Sequence, residues 1–239
     1  MAYYLGYGIL FVTGIVMMAA EQPFQKPVVS FLLYKRNISY GISNEFNYLL
    51  QFLNYRLSYY FIVSILGLAQ LGIFSVAVAI TEAVWITSRS MSAVHFSNVI
   101  NSDDQLKNRN EASAFARQSF IISNILLAAA IIVPDNIYLM IFGEEFSGIK
   151  KFILYMSPGI VAIAVSNLYG HYFAGEGQLN ILRNKSLIGL AISLVMLPVL
   201  VKRYQLIGAC ISLDVSYILS SLYLWIQFRR EKKYTEVAI

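Results

Sequence analysis

Charge is scarce in this chain. Asp, Glu, Lys and Arg make up 13% of its 239 residues, about half the share usual in soluble domains. Hydrophobic residues make up 58%, and mean hydropathy is +0.61, so lipid rather than water is the expected main solvent. Cysteine is nearly missing too. Cys210 stands alone inside an apolar segment, which excludes an intrachain disulfide framework. The two histidines, His95 and His171, are isolated from each other, and no His, Cys and carboxylate cluster has metal-ligand spacing. Each histidine reads as a packing or interfacial residue. No metal, cofactor or nucleic-acid partner is expected. Ser88, Ser90 and Ser92 belong to no nucleophile–base pattern, so no enzyme is expected. No basic stretch precedes the first apolar run, which argues against a cleavable signal peptide.

What the chain does have is long apolar runs, at 3–20, 44–66, 73–99, 118–141, 152–173, 187–201 and 207–228. A spanning helix needs about 20 residues, with roughly 17 as the floor. The sixth run is the shortest and reaches that length only with residues from 181–186. The runs are continuous rather than alternating, which favours helices over barrel strands. The expected fold is therefore all-α, a polytopic membrane helix bundle with about seven spans. Lys and Arg set its orientation. The connectors 21–43, 100–117 and 174–186 and the tail after 228 hold twelve of the 18; Lys150, Lys151, Lys202 and Arg203 lie in the alternate connectors. That bias places the C-terminus in the cytoplasm and, with an odd number of spans, the N-terminus outside.

Arg56 and Arg89 are the remaining two, and both fall inside apolar runs. A charge at mid-depth costs at least a few kcal/mol unless it meets a polar cavity or a partner. Glu45, Tyr48, Phe52 and Arg56 follow one another along one helical face, and Glu82 shares a face with Arg89. These two helices read as walls of a polar pathway. Arg56 is the expected lumen cation, or else an intramembrane partner of Glu45 or Glu82 that fixes packing. Arg89 lines the same lumen or snorkels to the headgroups. Glu82 neutralises an arginine or acts as a protonation switch. Asp214, in the last run, lacks an obvious local partner. A carboxylate in such surroundings exchanges its proton as its hydration changes, which makes it a candidate for proton coupling.

Three connecting features remain. After Pro23 and Pro27, residues 28–36 form either a short interfacial helix or a solvated linker. Ser157-Pro158-Gly159 is expected to kink or break its helix, as a gate or as a tolerated structural irregularity. The acidic pairs Asp103-Asp104 and Glu144-Glu145 read as solvated faces of short connectors.

Several of these residues, in order, resemble a known family. Tyr40-Gly41, then Asn54-Tyr55-Arg56, then Leu71-Gly72-Ile73-Phe74-Ser75-Val76-Ala77 are similar to the start of the C-terminal half of Wzx-type polysaccharide flippases. These are O-antigen transporters of the multidrug/oligosaccharidyl-lipid/polysaccharide exporter superfamily. Ile141-Phe142-Gly143-Glu144-Glu145-Phe146, followed by Leu154 and Pro158, resembles the family's Leu-Phe-Gly-x-x-Phe turn, and Ile207-Gly208-Ala209 its Gly-Ala helix start. Two departures stand out. The family often has an acid shortly after the arginine, where this chain has Leu57, Ser58 and Tyr59. Its members also have two six-helix lobes. This chain resembles one lobe of such a two-lobe transporter: residues 1–43 as the last helix of a first lobe plus a connector, 44–228 as the six-helix second lobe, and 229–239 as a basic tail.

The resemblance implies a bacterial inner-membrane flippase that carries an undecaprenyl-pyrophosphate-linked oligosaccharide. Its expected partners are that substrate, membrane lipids, and a missing N-terminal lobe or a second copy. An arginine fork matches phosphate oxygens, which fits Arg56. Tyr48, Tyr55, Tyr59, Tyr60 and Trp85 are available to sugars. The competing expectations are a multidrug antiporter fragment, a membrane glycan polymerase, or a truncated inactive remnant.

Overall fold

A computed structural model describes residues 2–21, 30–102 and 104–235, and these are helical throughout apart from short turns. Pro23, Lys26, Pro27 and Asp103 lie outside the described residues, as do the side chains of Lys232 and Lys233. The helices are α1 (Ala2–Glu21), α2 (Phe31–Leu66), α3 (Leu68–Ile100), α4 (Gln105–Ile132), α5 (Asp135–Phe142), α6 (Ile149–Gly175) and α7 (Leu179–Thr235), with a 3-10 turn at Glu144–Phe146. The chain divides into two compact units, Met1–Gly41 and Ile42–Ile239. The first holds α1 and the opening turns of α2. The second holds everything from residue 42 onward.

The all-α expectation is met, because long apolar runs in lipid can satisfy their backbone groups only internally. Four described helices are long and apolar enough to cross a membrane: Leu68–Ile100, Gln105–Ile132, Ile149–Gly175 and the Leu179–Glu231 part of α7. The last is two helices in one. Gln205 breaks it with φ 53 and ψ −133, leaving a first limb at 179–204 and a second at 206–235. Asn184 meets Tyr223, Gly189 meets Ser216, and Leu200 meets Gly208. Each step forward on one limb is matched by a step back on the other, so the limbs form an antiparallel hairpin. A positive φ costs a non-glycine residue about 1 kcal/mol or more. Gln205→Gly should therefore raise the melting temperature in detergent, and an unchanged or lower value would show that the turn is relaxed.

Several boundaries differ from those read off hydropathy. The expected connector before residue 44 is helical from Phe31. The connector expected at 67–72 shrinks to Gly67, whose φ of 88 favours glycine. The run 118–141 is cut at Val133 and Pro134, where α4 ends and α5 begins. Proline cannot extend the α4 hydrogen-bond ladder. The sixth run gains its missing length by starting at Leu179. Pro158 does not break α6, which continues through it to Gly175.

Contacts within the second unit fix the direction of every pass. Tyr55 meets Trp85 and Tyr59 meets Phe74, so α2 and α3 are antiparallel. His95 meets Phe115 and Asn98 meets Glu111, so α3 and α4 are antiparallel. Ser88 donates to the Ala164 carbonyl and Gly175 abuts Val99, so α3 and α6 run parallel. Gly159 meets Asp214 and Tyr172 meets Phe228, so α6 parallels the second limb. The six long segments therefore alternate in direction, α2 being outside the four helices apolar enough to cross a membrane. α6 packs against α3, α4 and α7, and two thirds of its apolar window is buried.

One end of this bundle is rich in cations, with Lys107, Arg109, Arg183, Lys185, Arg229 and Arg230. Lys150, Lys151, Lys202 and Arg203 stand near the other. Arg109 is not a loop charge. It is buried, donates Nη2 to the Phe228 carbonyl and lies 4.4 Å over the Phe228 ring.

Candidate functional site

The charged residues of α2 and α3 meet because the two helices are antiparallel across the Gly67 turn. Arg56 Nη2 donates to Glu82 Oε2 at 3.3 Å, and Nη1 donates to the Tyr59 hydroxyl at 2.9 Å. The guanidinium also lies 5.1 Å from the centre of the Tyr59 ring. The pair is not sealed: the Arg56 side chain is 36% exposed and that of Glu82 23%. A pair that is only partly enclosed leaves the arginine fork reachable by a second anion.

Around the pair lies an aromatic group drawn from three passes. Tyr55 and Trp85 have ring centres 5.1 Å apart, and Tyr217 from the second limb stands edge-on to Tyr55 at 5.7 Å. Gln51 Nε2 donates to the Tyr55 hydroxyl at 2.6 Å. Arg89 lies 5.0 Å over the Trp85 ring, a contact worth about 0.5–2 kcal/mol depending on desolvation. It therefore leans back into the aromatic group although the residue itself is exposed.

Arg56, Tyr59, Glu82 and Arg89 thus come together, whereas two other candidates stand apart. Glu45 is exposed and forms no ion pair among the described residues, so the partner of Arg56 is Glu82. The face carrying Glu45, Tyr48 and Phe52 is uncovered by the other passes, Tyr48 being 55% and Phe52 54% exposed. Asp214 is placed elsewhere, on the second limb, and accepts a hydrogen bond from the Gly159 backbone N–H of α6. Pro158 has no N–H to offer, and the N–H of the next residue, Gly159, donates to Asp214. The proline expected to break α6 serves as a docking point.

No protein-family model, curated protein or solved structure matches this chain.

Behind the aromatic group lies a polar node that hydropathy does not reveal. Asn54 of α2 is buried, and its Oδ1 accepts from Ser193 of the first limb at 3.0 Å. Ser216 Oγ lies 3.1 Å from Asn54 Oδ1 and 2.9 Å from the Gly189 carbonyl, and its one hydroxyl hydrogen donates to either. The node ties α2 to both limbs. The only available signal was Asn54 itself, a polar residue one step from Tyr55-Arg56. A separate cleft of about 260 Å3 at the cation-rich end is lined by Phe46, Asn47, Leu179 and Arg183 among others, and Arg56 does not reach it.

Both histidines take packing positions. His95 is fully buried, 5.8 Å from the Phe115 ring and 6.5 Å from that of Tyr172, with Nδ1 3.8 Å from Glu111 Oε2. His171 Nδ1 bonds the Asn167 carbonyl at 2.9 Å. Asp104 caps α4 by accepting from the Lys107 N–H, while Glu144 and Glu145 are exposed. Among the described residues, no group of His, Cys, Asp and Glu is arranged to hold a metal ion.

Proposed function

We propose that this chain is part of a flippase that moves an undecaprenyl-pyrophosphate-linked oligosaccharide across the bacterial inner membrane by alternating access. An O-antigen or capsule repeat unit is the cargo. The observation that carries the reading is the Arg56–Glu82 pair, half open and bordered by Tyr55, Tyr59 and Trp85, within an apolar multi-pass bundle. A pyrophosphate carries more charge than one carboxylate and offers more acceptor oxygens to the arginine fork. It can therefore take the place of Glu82 at Arg56. Tyr59, partly exposed beside the pair, offers a stacking surface for a sugar ring, while Tyr55 and Trp85 are packed in the core behind it. The family resemblance supports the same cargo. The cation-rich end of the bundle supports a cytoplasmic C-terminus and an outer N-terminus, and the lobe resemblance supports pairing with an N-terminal lobe or a second copy.

The test is transport of a fluorescent undecaprenyl-pyrophosphate oligosaccharide in proteoliposomes, scored by accessibility to a membrane-impermeant quencher. The chain is assayed both alone and together with a first lobe. Arg56→Ala should lower the flipping rate by about tenfold or more, and Arg56→Lys by less, because a lysine keeps the charge but loses the fork. Equal rates for the parent and Arg56→Ala would remove Arg56 from the pathway. No flipping under either condition would remove the flippase reading.

A further inference from the structure

A second group of cations lies deeper toward the cation-rich end, and it lacks counter-charge. Lys185 is in the first limb of α7, only 7% exposed, and has no hydrogen-bond or ion-pair partner among the described residues. Lys185 and Arg89 both lie within Coulombic reach of the His171 ring on α6. No carboxylate among the described residues pairs with any of the three. A lysine so nearly enclosed normally finds a partner, because an unpaired charge in low dielectric is costly, although the Lys185 Nζ itself is not fully enclosed.

The register of the helices gathers further polar groups at the same level. Gly170 of α6 abuts Leu182 of the first limb, so three residues back along α6, Asn167 stands level with Lys185. The hairpin pairing of Asn184 with Tyr223 and Gly189 with Ser216 puts Ser221 across from Lys185. Gly159 opposite Asp214 puts Ser166 level with Ser221. Asn167 Nδ2, Ser166 Oγ and Ser221 Oγ are all buried, and none has a hydrogen-bond partner. Two cations and three unused polar groups, drawn from α3, α6 and both limbs of α7, thus occupy one layer.

We infer that this layer, centred on Lys185 and Arg89, is a binding site for a phosphate-type oxyanion, either a phosphomonoester or a diphosphate. An ammonium and a guanidinium supply the charge that such an anion needs. The Asn167 amide and the Ser166 hydroxyl come from α6, and the Ser221 hydroxyl from the second limb. The layer shares Arg89 with the aromatic group but leaves out Arg56, which is already paired with Glu82. It stands on packing alone and does not depend on the flippase reading. A chain that binds pyrophosphate here yet moves no glycolipid would remove that reading and leave this one.

Trp85 is a built-in reporter, since Arg89 rests on its ring. Trp225 is the other tryptophan, so the full chain carrying Trp225→Phe has Trp85 as its sole indole. In phosphatidylcholine nanodiscs, inorganic pyrophosphate should change Trp85 emission saturably, and chloride at matched ionic strength should not. Lys185→Met should weaken the apparent affinity by about tenfold or more. Lys202→Met, the same change at the exposed far end of the hairpin, should stay within about twofold. A parallel set of nanodiscs doped with phosphatidic acid, without pyrophosphate, separates the sources. A Lys185-dependent response there identifies a lipid headgroup, and a response to pyrophosphate alone identifies a soluble or diphosphate ligand. No response in either arm, or an unchanged affinity in Lys185→Met, overturns the site. Melting provides a second reading: without anion, Lys185→Met should melt higher than the parent, because an uncompensated charge is gone. A lower melting temperature would mean that the chain already satisfies Lys185, which also overturns it.

Discussion

Gly208→Ala is expected to destabilise the second unit by about 3 kcal/mol, at the upper end of what overpacking a tight contact costs. A Cβ on Gly208 would overlap the Leu200 carbonyl and press on the Val201 amide nitrogen. Both are backbone atoms beside the hairpin turn, so no rotamer change relieves the clash. The two limbs would have to separate at Gln205, loosening Leu206, Ala209 and Cys210, which are buried there. Unfolding in mixed dodecyl maltoside and SDS micelles, followed by circular dichroism, measures the loss. Gly72→Ala is the control. It also lies in a helix, but a Cβ there meets open space, so the change should be neutral or stabilising by up to about 1 kcal/mol. If the two substitutions cost the same, the close approach at Gly208 is not a constraint.

Asp214→Ala should cost about 2 kcal/mol, because it strips the acceptor from the Gly159 N–H beside a proline that already lacks a donor. Asp214→Asn should remain within about 1 kcal/mol of the parent, since an amide oxygen accepts the same bond. The pair of variants also separates two roles. If Asp214 only holds α6 to the second limb, the asparagine variant transports normally. If it carries a coupling proton, the asparagine variant folds normally but loses its dependence on the proton gradient. An alanine variant as stable as the parent would mean that α6 satisfies Gly159 internally.

The helical character of the second unit was legible in the sequence, and so were the four helices apolar enough to cross a membrane, because lipid allows few alternatives to a continuous apolar helix. The pairing of Arg56 with a glutamate was legible as well, though not the choice of partner. Glu45 shares a face with Arg56, but an extended helix holds the two about three turns apart, and the Gly67 turn brings Glu82 closer. Lys185 and Arg109 look like loop cations by their distance from apolar runs, yet the helices begin earlier than hydropathy indicates and carry both into the bundle. The partners of Asn54 and Asp214 were beyond reach for a different reason. They lie 139 and 55 residues away, and only the packing of whole helices brings them near. Hydropathy along one dimension holds no record of that packing.

The central position of α6 has a consequence for biogenesis. A ribosome releases α2, α3 and α4 into the bilayer before the helix that α3 and α4 both pack against has been made. Until residue 175 clears the insertion machinery, these early segments have only their immediate neighbours and the lipid to rest on. Ser88 waits for the Ala164 carbonyl, and Val99 for the small surface of Gly175. Nascent chains arrested before α6 should therefore be open to intramembrane quality control, and those arrested after the α7 hairpin should be protected from it.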